Sequence, residues 1–215
     1  MSDTTEHRAV FSFSGGRLCL DFANTADWHA SEHPEEGLVD YAALVAWGQQ
    51  ADLLDSAQAA ALLREAARRP AEAAAILERG LALREAIYRI FAAIAGERPP
   101  AGADLDMLNA ALAEAMAHAQ VAPAAEGFVW GWREHDPPPL DRMLWPVVRS
   151  AADLLTADEL DRVRHCADDN CGWLFMDMSR NRSRRWCSMQ GCGNRAKARR
   201  FYARRQQAAD SHGGD

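Results

Sequence analysis

Cys166-Ala167-Asp168-Asp169-Asn170-Cys171 and Cys187-Ser188-Met189-Gln190-Gly191-Cys192 are two C-x4-C pairs, fifteen residues apart, in the most arginine-dense stretch of a 215-residue chain. Zinc takes thiolates tetrahedrally, and two paired-cysteine turns brought together supply four ligands without needing a large apolar core. The pattern therefore reads as one structural zinc ion held by Cys166, Cys171, Cys187 and Cys192. A disulfide pair and unrelated buried thiols are the rival readings. The odd total of five cysteines, with Cys19 far upstream, argues against the first.

The residues between the ligands suggest local structure. Gly172-Trp173-Leu174-Phe175-Met176-Asp177 is aromatic and apolar enough for a strand, Ser179–Ser183 is a polar turn, and Arg184–Ser188 is the expected returning strand with the third ligand. Asn194 to Arg205 lacks Gly, Pro and β-branched residues and predicts a helix. The fourth ligand then precedes a helix N-terminus, where free N–H groups and the helix dipole favour a thiolate. Knuckle, hairpin and helix in that order describe a small treble-clef-like zinc finger, although the four-residue spacers depart from the commoner C-x2-C. Trp173, Phe175 and Trp186 are its expected miniature core.

Cys192-Gly193-Asn194-Arg195, preceded by Ser183-Arg184-Arg185-Trp186-Cys187-Ser188-Met189, closely resembles the CGNR zinc finger family, named for that tetrapeptide. Upstream, Gly16-Arg17-Leu18-Cys19-Leu20-Asp21-Phe22-Ala23-Asn24-Thr25 resembles the start of the ABATE domain, which precedes this finger in many bacterial proteins. The resemblance implies a stress-induced transcription regulator.

The net charge of −7 alone argues against a nucleic-acid partner, but its distribution reverses that. Residues 1–159 hold 12 arginines against 25 carboxylates, net −13, whereas residues 160–205 hold 12 cations against 4 carboxylates, net +8. Four thiolates on one zinc leave that segment about +6, enough to favour a polyanion. On a helical wheel at about 100° per residue, Arg195, Lys197, Arg199, Arg200 and Arg204 fall on one arc and Ala198, Phe201, Tyr202 and Arg205 on another, expected to pack. Arg180, Arg182, Arg184 and Arg185 add a second positive edge, suited to forking onto phosphate oxygens. Asn194 and Arg195 have an equal structural reading, as groups that hydrogen-bond the thiolates or the hairpin backbone.

The rest of the chain predicts an α+β, mainly α fold: a helical domain over 1–159 with a small antiparallel sheet, the finger over 160–205, and a flexible tail over 206–215. The sheet is expected from Val10–Phe13, Leu18–Phe22 and Phe128–Trp132, the first two joined as a hairpin through Ser14–Arg17. In that hairpin Cys19 points away from the apolar face. Helices are expected over 40–51, 56–68, 71–95, 104–119 and 140–155, with Thr156–Glu159 as a capping box opening a further short helix. Asp21 and Asn24 are the candidate binders if the body holds a small-molecule effector. Against them, strand tryptophans such as Trp130 and Trp132 are usually core, and Asn–Thr pairs usually cap or turn.

No phosphate loop, nucleophile elbow or H-x-x-x-H frame is present, and four protein ligands leave zinc no open position for water, so no catalytic residues are expected. The polar start, the lack of a membrane-length apolar run and the free thiols predict a cytoplasmic protein. The leading expectation is a DNA-binding regulator whose body senses a signal or self-associates as a homo-oligomer. The alternative is a zinc-stabilised protein-interaction or small-ligand-binding module.

Overall fold

A computed structural model describes residues 10–210, with side chains to residue 205. Among the described residues, seven α-helices and three short antiparallel ladders make a mainly helical α+β fold. The helices are α1 (Leu18–Ala23), α2 (Tyr41–Gln50), α3 (Ser56–Arg68), α4 (Pro70–Ala95), α5 (Gly102–Met116), α6 (Leu144–Leu155) and α7 (Asn194–Asp210). Local chemistry sets several ends. Asp40 caps α2 by accepting from the Ala43 N–H, Asp55 and Gln58 form a capping box on α3, and Pro70 opens α4, where its missing N–H costs nothing. α7 runs to Asp210, five residues into the segment expected as a tail; residues 211–215 lie outside the described ones.

The expected three-stranded sheet does not form. Leu18–Ala23 is helical, and Val10–Phe13 carries no ladder. The alternation of Leu18, Leu20 and Phe22 misleads because Cys19, Leu20, Asp21, Phe22 and Ala23 are all buried, so both faces are covered. α1 sits in the middle of the core, packed by α4 and α6, and burial on all sides removes the periodicity that separates helix from strand. Cys19 is consequently interior, and burial pushes its thiol up to about 12.

The three ladders are β1 (Ala26–Asp27) with β2 (Glu35–Glu36), β3 (Ala119–Ala124) with β4 (Gly127–Trp132), and β5 (Val163–His165) with β6 (Leu174–Met176). The β3–β4 register stacks Ala119, Val121 and Pro123 against Trp132, Trp130 and Phe128 on one face. Only the inner end of that face is covered, where Trp132 lies 5.8 Å from Trp145. Trp130, expected in the core, is 51% exposed beneath the Arg149 guanidinium at 4.1 Å. Thr156 caps no helix start. It ends α6, its hydroxyl donating to the Ala152 carbonyl, and a 3-10 turn at Leu160–Arg162 leads into β5.

The core centres on Leu20, Phe22, Trp47, Ile87, Ile90 and Phe91, all fully buried. Val163, Leu174 and Met176 belong to the same cluster, so the β5–β6 hairpin is built into the body. Asn24 joins the two like a missing strand partner, its Nδ2 donating to the Leu174 carbonyl at 2.8 Å and its Oδ1 accepting from the Leu174 N–H at 2.9 Å.

Candidate metal centre and basic surface

The first knuckle grows directly out of β5. The Cys166 N–H donates to the Trp173 carbonyl at 2.8 Å, which extends the β5–β6 ladder by one rung, and the Cys171 N–H donates to the Asp168 carbonyl at 3.0 Å, which closes the turn. Gly172 follows at φ +70°, and a Cβ there would meet the Ala30 nitrogen at 2.6 Å, so only glycine fits. The turn is fixed to the body by the Trp173 indole, which donates to the Ala26 carbonyl at 2.9 Å, and by the Tyr88 hydroxyl, which donates to the Gly172 carbonyl at 3.0 Å.

The returning strand expected at Arg184–Ser188 is absent, since β6 pairs with β5 instead. Asp177 explains the diversion. Fully buried, it accepts from the Ser179 N–H at 2.9 Å, the Ser179 hydroxyl at 2.6 Å and the Arg184 N–H at 3.0 Å, so the chain turns away from β6. Arg184 then takes the place of a ladder, donating to the carbonyls of Ser14, Met176, Trp186 and Cys187 while its guanidinium lies 4.4 Å over the Phe175 ring.

The second knuckle is a π-helical turn, Met189–Gly193, entered through Ser188, whose hydroxyl accepts from the Gly191 N–H. A π turn spans more residues than an α turn, which accommodates a four-residue spacer between Cys187 and Cys192. α7 begins at the next residue, and Asn194 donates to the Gln190 carbonyl at 3.1 Å, holding the turn closed.

All four Sγ atoms lie within 4.8 Å of one another, with Cys171 to Cys187 at 3.7 Å and Cys187 to Cys192 at 3.6 Å. Zn–S bonds of about 2.3 Å in a tetrahedron give sulfur–sulfur edges of about 3.8 Å. The cysteines are unbridged, buried and backed by Phe175, Trp173 and Trp186, the expected miniature core. Electrostatics agree: hydrogen bonds from Cys171 and Cys187 pull the Cys166 thiol far down, while the same contacts push Cys171 and Cys187 up. Sulfurs this close ionise together only around a cation. The donor set fits one structural zinc ion, and four protein ligands close its coordination.

The basic residues separate into two groups. Arg195 donates to the Cys192 sulfur at 2.8 Å, pairs with Asp168 at 3.2 Å and lies 4.6 Å over the Trp28 ring. Arg199 reaches the other Asp168 oxygen at 3.2 Å, as an ion pair outside hydrogen-bond geometry. Asp168, buried at 2%, thus anchors the first turns of α7, and Arg182 pairs with Asp161. Arg180, Arg185, Lys197, Arg200, Arg204 and Arg205 are exposed and have no carboxylate partner among the described residues. Of these, Lys197, Arg200 and Arg204 share an arc of about 60° on α7. The arc expected to pack does not, with Phe201 56% and Tyr202 64% exposed. Asp168 escapes a reading of the sequence because an acid between two ligands looks like any turn residue.

The candidate effector residues lie elsewhere and are engaged internally. Asp21 accepts from the Gly15 N–H at 2.7 Å, and burial pushes its carboxyl up to about 6. Asn24 is the clamp on β6 described above. No helix among the described residues is long and apolar enough to cross a membrane.

Comparison with known families agrees with this architecture. The ABATE family model, described as "Putative stress-induced transcription regulator", matches residues 16–158, and the CGNR zinc finger model matches residues 162–205. No curated protein matches the chain. The chain belongs to the ABATE family and carries a CGNR zinc finger.

Proposed function

We propose that this protein is a DNA-binding transcription regulator of the cytoplasm. Its finger grips phosphates through Lys197, Arg200 and Arg204 on the outer arc of α7, with Arg180 and Arg185 alongside, while the helical body senses a signal or mediates self-association. The observation that carries the reading is that stripe of three cations, exposed and unopposed by carboxylates on a chain whose body is strongly acidic. Arg184, Arg195 and Arg199 hold the helix and the knuckle, and so orient the stripe without touching the polyanion.

Each neutralised phosphate contributes about 0.9 to the log–log salt slope, so the five contacts give roughly −4.5. Replacing Lys197, Arg200 and Arg204 together by alanine is expected to flatten the slope on unrelated duplex DNA by about 2.7 units, with zinc content and helicity unchanged. Equal binding by parent and variant overturns the reading. It would favour docking on an acidic protein, for which the exposed pair Phe201 and Tyr202 is suited.

A further inference from the structure

The helical body contains a cavity of about 190 Å³ between α4, α5 and α6. Its floor is apolar, formed by Leu83, Ala115, Leu144, Trp145 and Val148, each of them buried. An apolar cavity of about 150 Å³ accepts a benzene molecule, so this one has room for a single aromatic ring and a short chain.

The rim carries the charges. Arg79 lies between two carboxylates, 2.6 Å from Asp141 and 3.3 Å from Glu114, and no other ionisable group among the described residues lines the cavity. One cation against two anions leaves the mouth at −1. Arg79 is held more tightly by Asp141, so Glu114, 61% exposed, is the carboxylate available to a second cation. The surrounding body, at −13 over residues 1–159, further concentrates cations and repels anions.

We infer that this cavity is a binding site for a small aromatic amine, whose ring rests on the Leu83–Leu144–Val148 floor and whose ammonium group pairs with Glu114. The site is separate from Asp21 and Asn24, and does not rest on the nucleic-acid reading of the finger. Chemistry selects the ligand: the floor suits an apolar ring, and the net negative rim favours an ammonium group over a carboxylate.

The test is calorimetric titration of the full-length, zinc-loaded protein with 2-phenylethylamine, 2-phenylethanol and 3-phenylpropionate. The amine is expected to bind roughly fivefold more tightly than the alcohol, the scale of an exposed ion pair, and the carboxylate more weakly than either. Glu114→Gln, a surface change, is expected to erase the preference for amine over alcohol while preserving alcohol binding. Ala111→Phe, which fills the cavity from α5, is expected to abolish binding of all three. If Ala111→Phe does not fold, Glu114→Gln alone decides. Absence of amine binding, an amine preference that survives Glu114→Gln, or undiminished binding by folded Ala111→Phe would each overturn the inference.

Discussion

Replacing Arg195 by alanine removes three contacts at once: the donation to the Cys192 sulfur, the ion pair with Asp168 and the stacking over Trp28. Hydrogen bonds to charged partners contribute about 1.5–3 kcal/mol, but the Arg195 side chain is 42% exposed, so solvent screening reduces its polar contacts to roughly 1–1.5 kcal/mol. The contact with Trp28 adds about 0.5–1 kcal/mol. The sum, about 2 kcal/mol, corresponds to a melting shift of roughly 4–8 °C for a chain of this size. Part of the loss falls on the metal, since outer partners of ligands commonly alter metal affinity 10–100-fold. Competition with a chromogenic chelator measures the affinity and scanning calorimetry the stability. Because Arg195 is committed to Asp168 and Cys192, the DNA salt slope at saturating zinc should stay where it was. A slope smaller by about 0.9, with zinc affinity and melting unchanged, would refute the assignment and make Arg195 a phosphate contact instead.

Two further outcomes are expected. The Asp21 carboxyl is raised from 3.8 to about 6, so its protonated form is preferred in the folded state; its contribution to stability is fully present below about pH 4 and is lost as pH rises through 6. Relative to Asp21→Asn, which keeps an acceptor for the Gly15 N–H, the parent should lose roughly 1–1.5 kcal/mol between pH 5 and 8 in denaturant titrations, and the variant should be the more stable at pH 7. An unchanged slope in the variant would place the titration elsewhere. Chelation of zinc should lower the melting temperature of the whole chain, because Val163, Leu174 and Met176 lie in the body's core. Two separate calorimetric transitions, with the body's unmoved, would contradict that coupling.

The metal centre was legible in the sequence because ligand chemistry is local: four cysteines at fixed spacing need only two turns to converge. The long helices were legible for a similar reason, with α3 matching its expected bounds through the Asp55 and Gln58 cap. Elements whose character depends on distant neighbours were misread. Leu18–Phe22 looks like a strand until α4 and α6 cover both its faces. The partner of β6 could not be read from its flanks, because Asp177 sends the following residues away and Val163–His165, ahead of the first ligand, takes their place. Asp168 has the same character: its role exists only once α7 has folded back over the first knuckle, where one buried carboxylate decides which arginines remain available to a partner.

The rung from Cys166 to Trp173, the Asn24 clamp on Leu174 and the Ala30 backbone against Gly172 have a consequence for transplantation. Zinc modules strung on linkers can be cut out and grafted onto new carriers, keeping their fold and target. Here a graft beginning at residue 160 would leave Leu174 and Met176 without α1, and Asn24 without its strand. The smallest portable unit includes the helix at the opposite end of the chain, so recombination can exchange this finger only together with the residues that open the body.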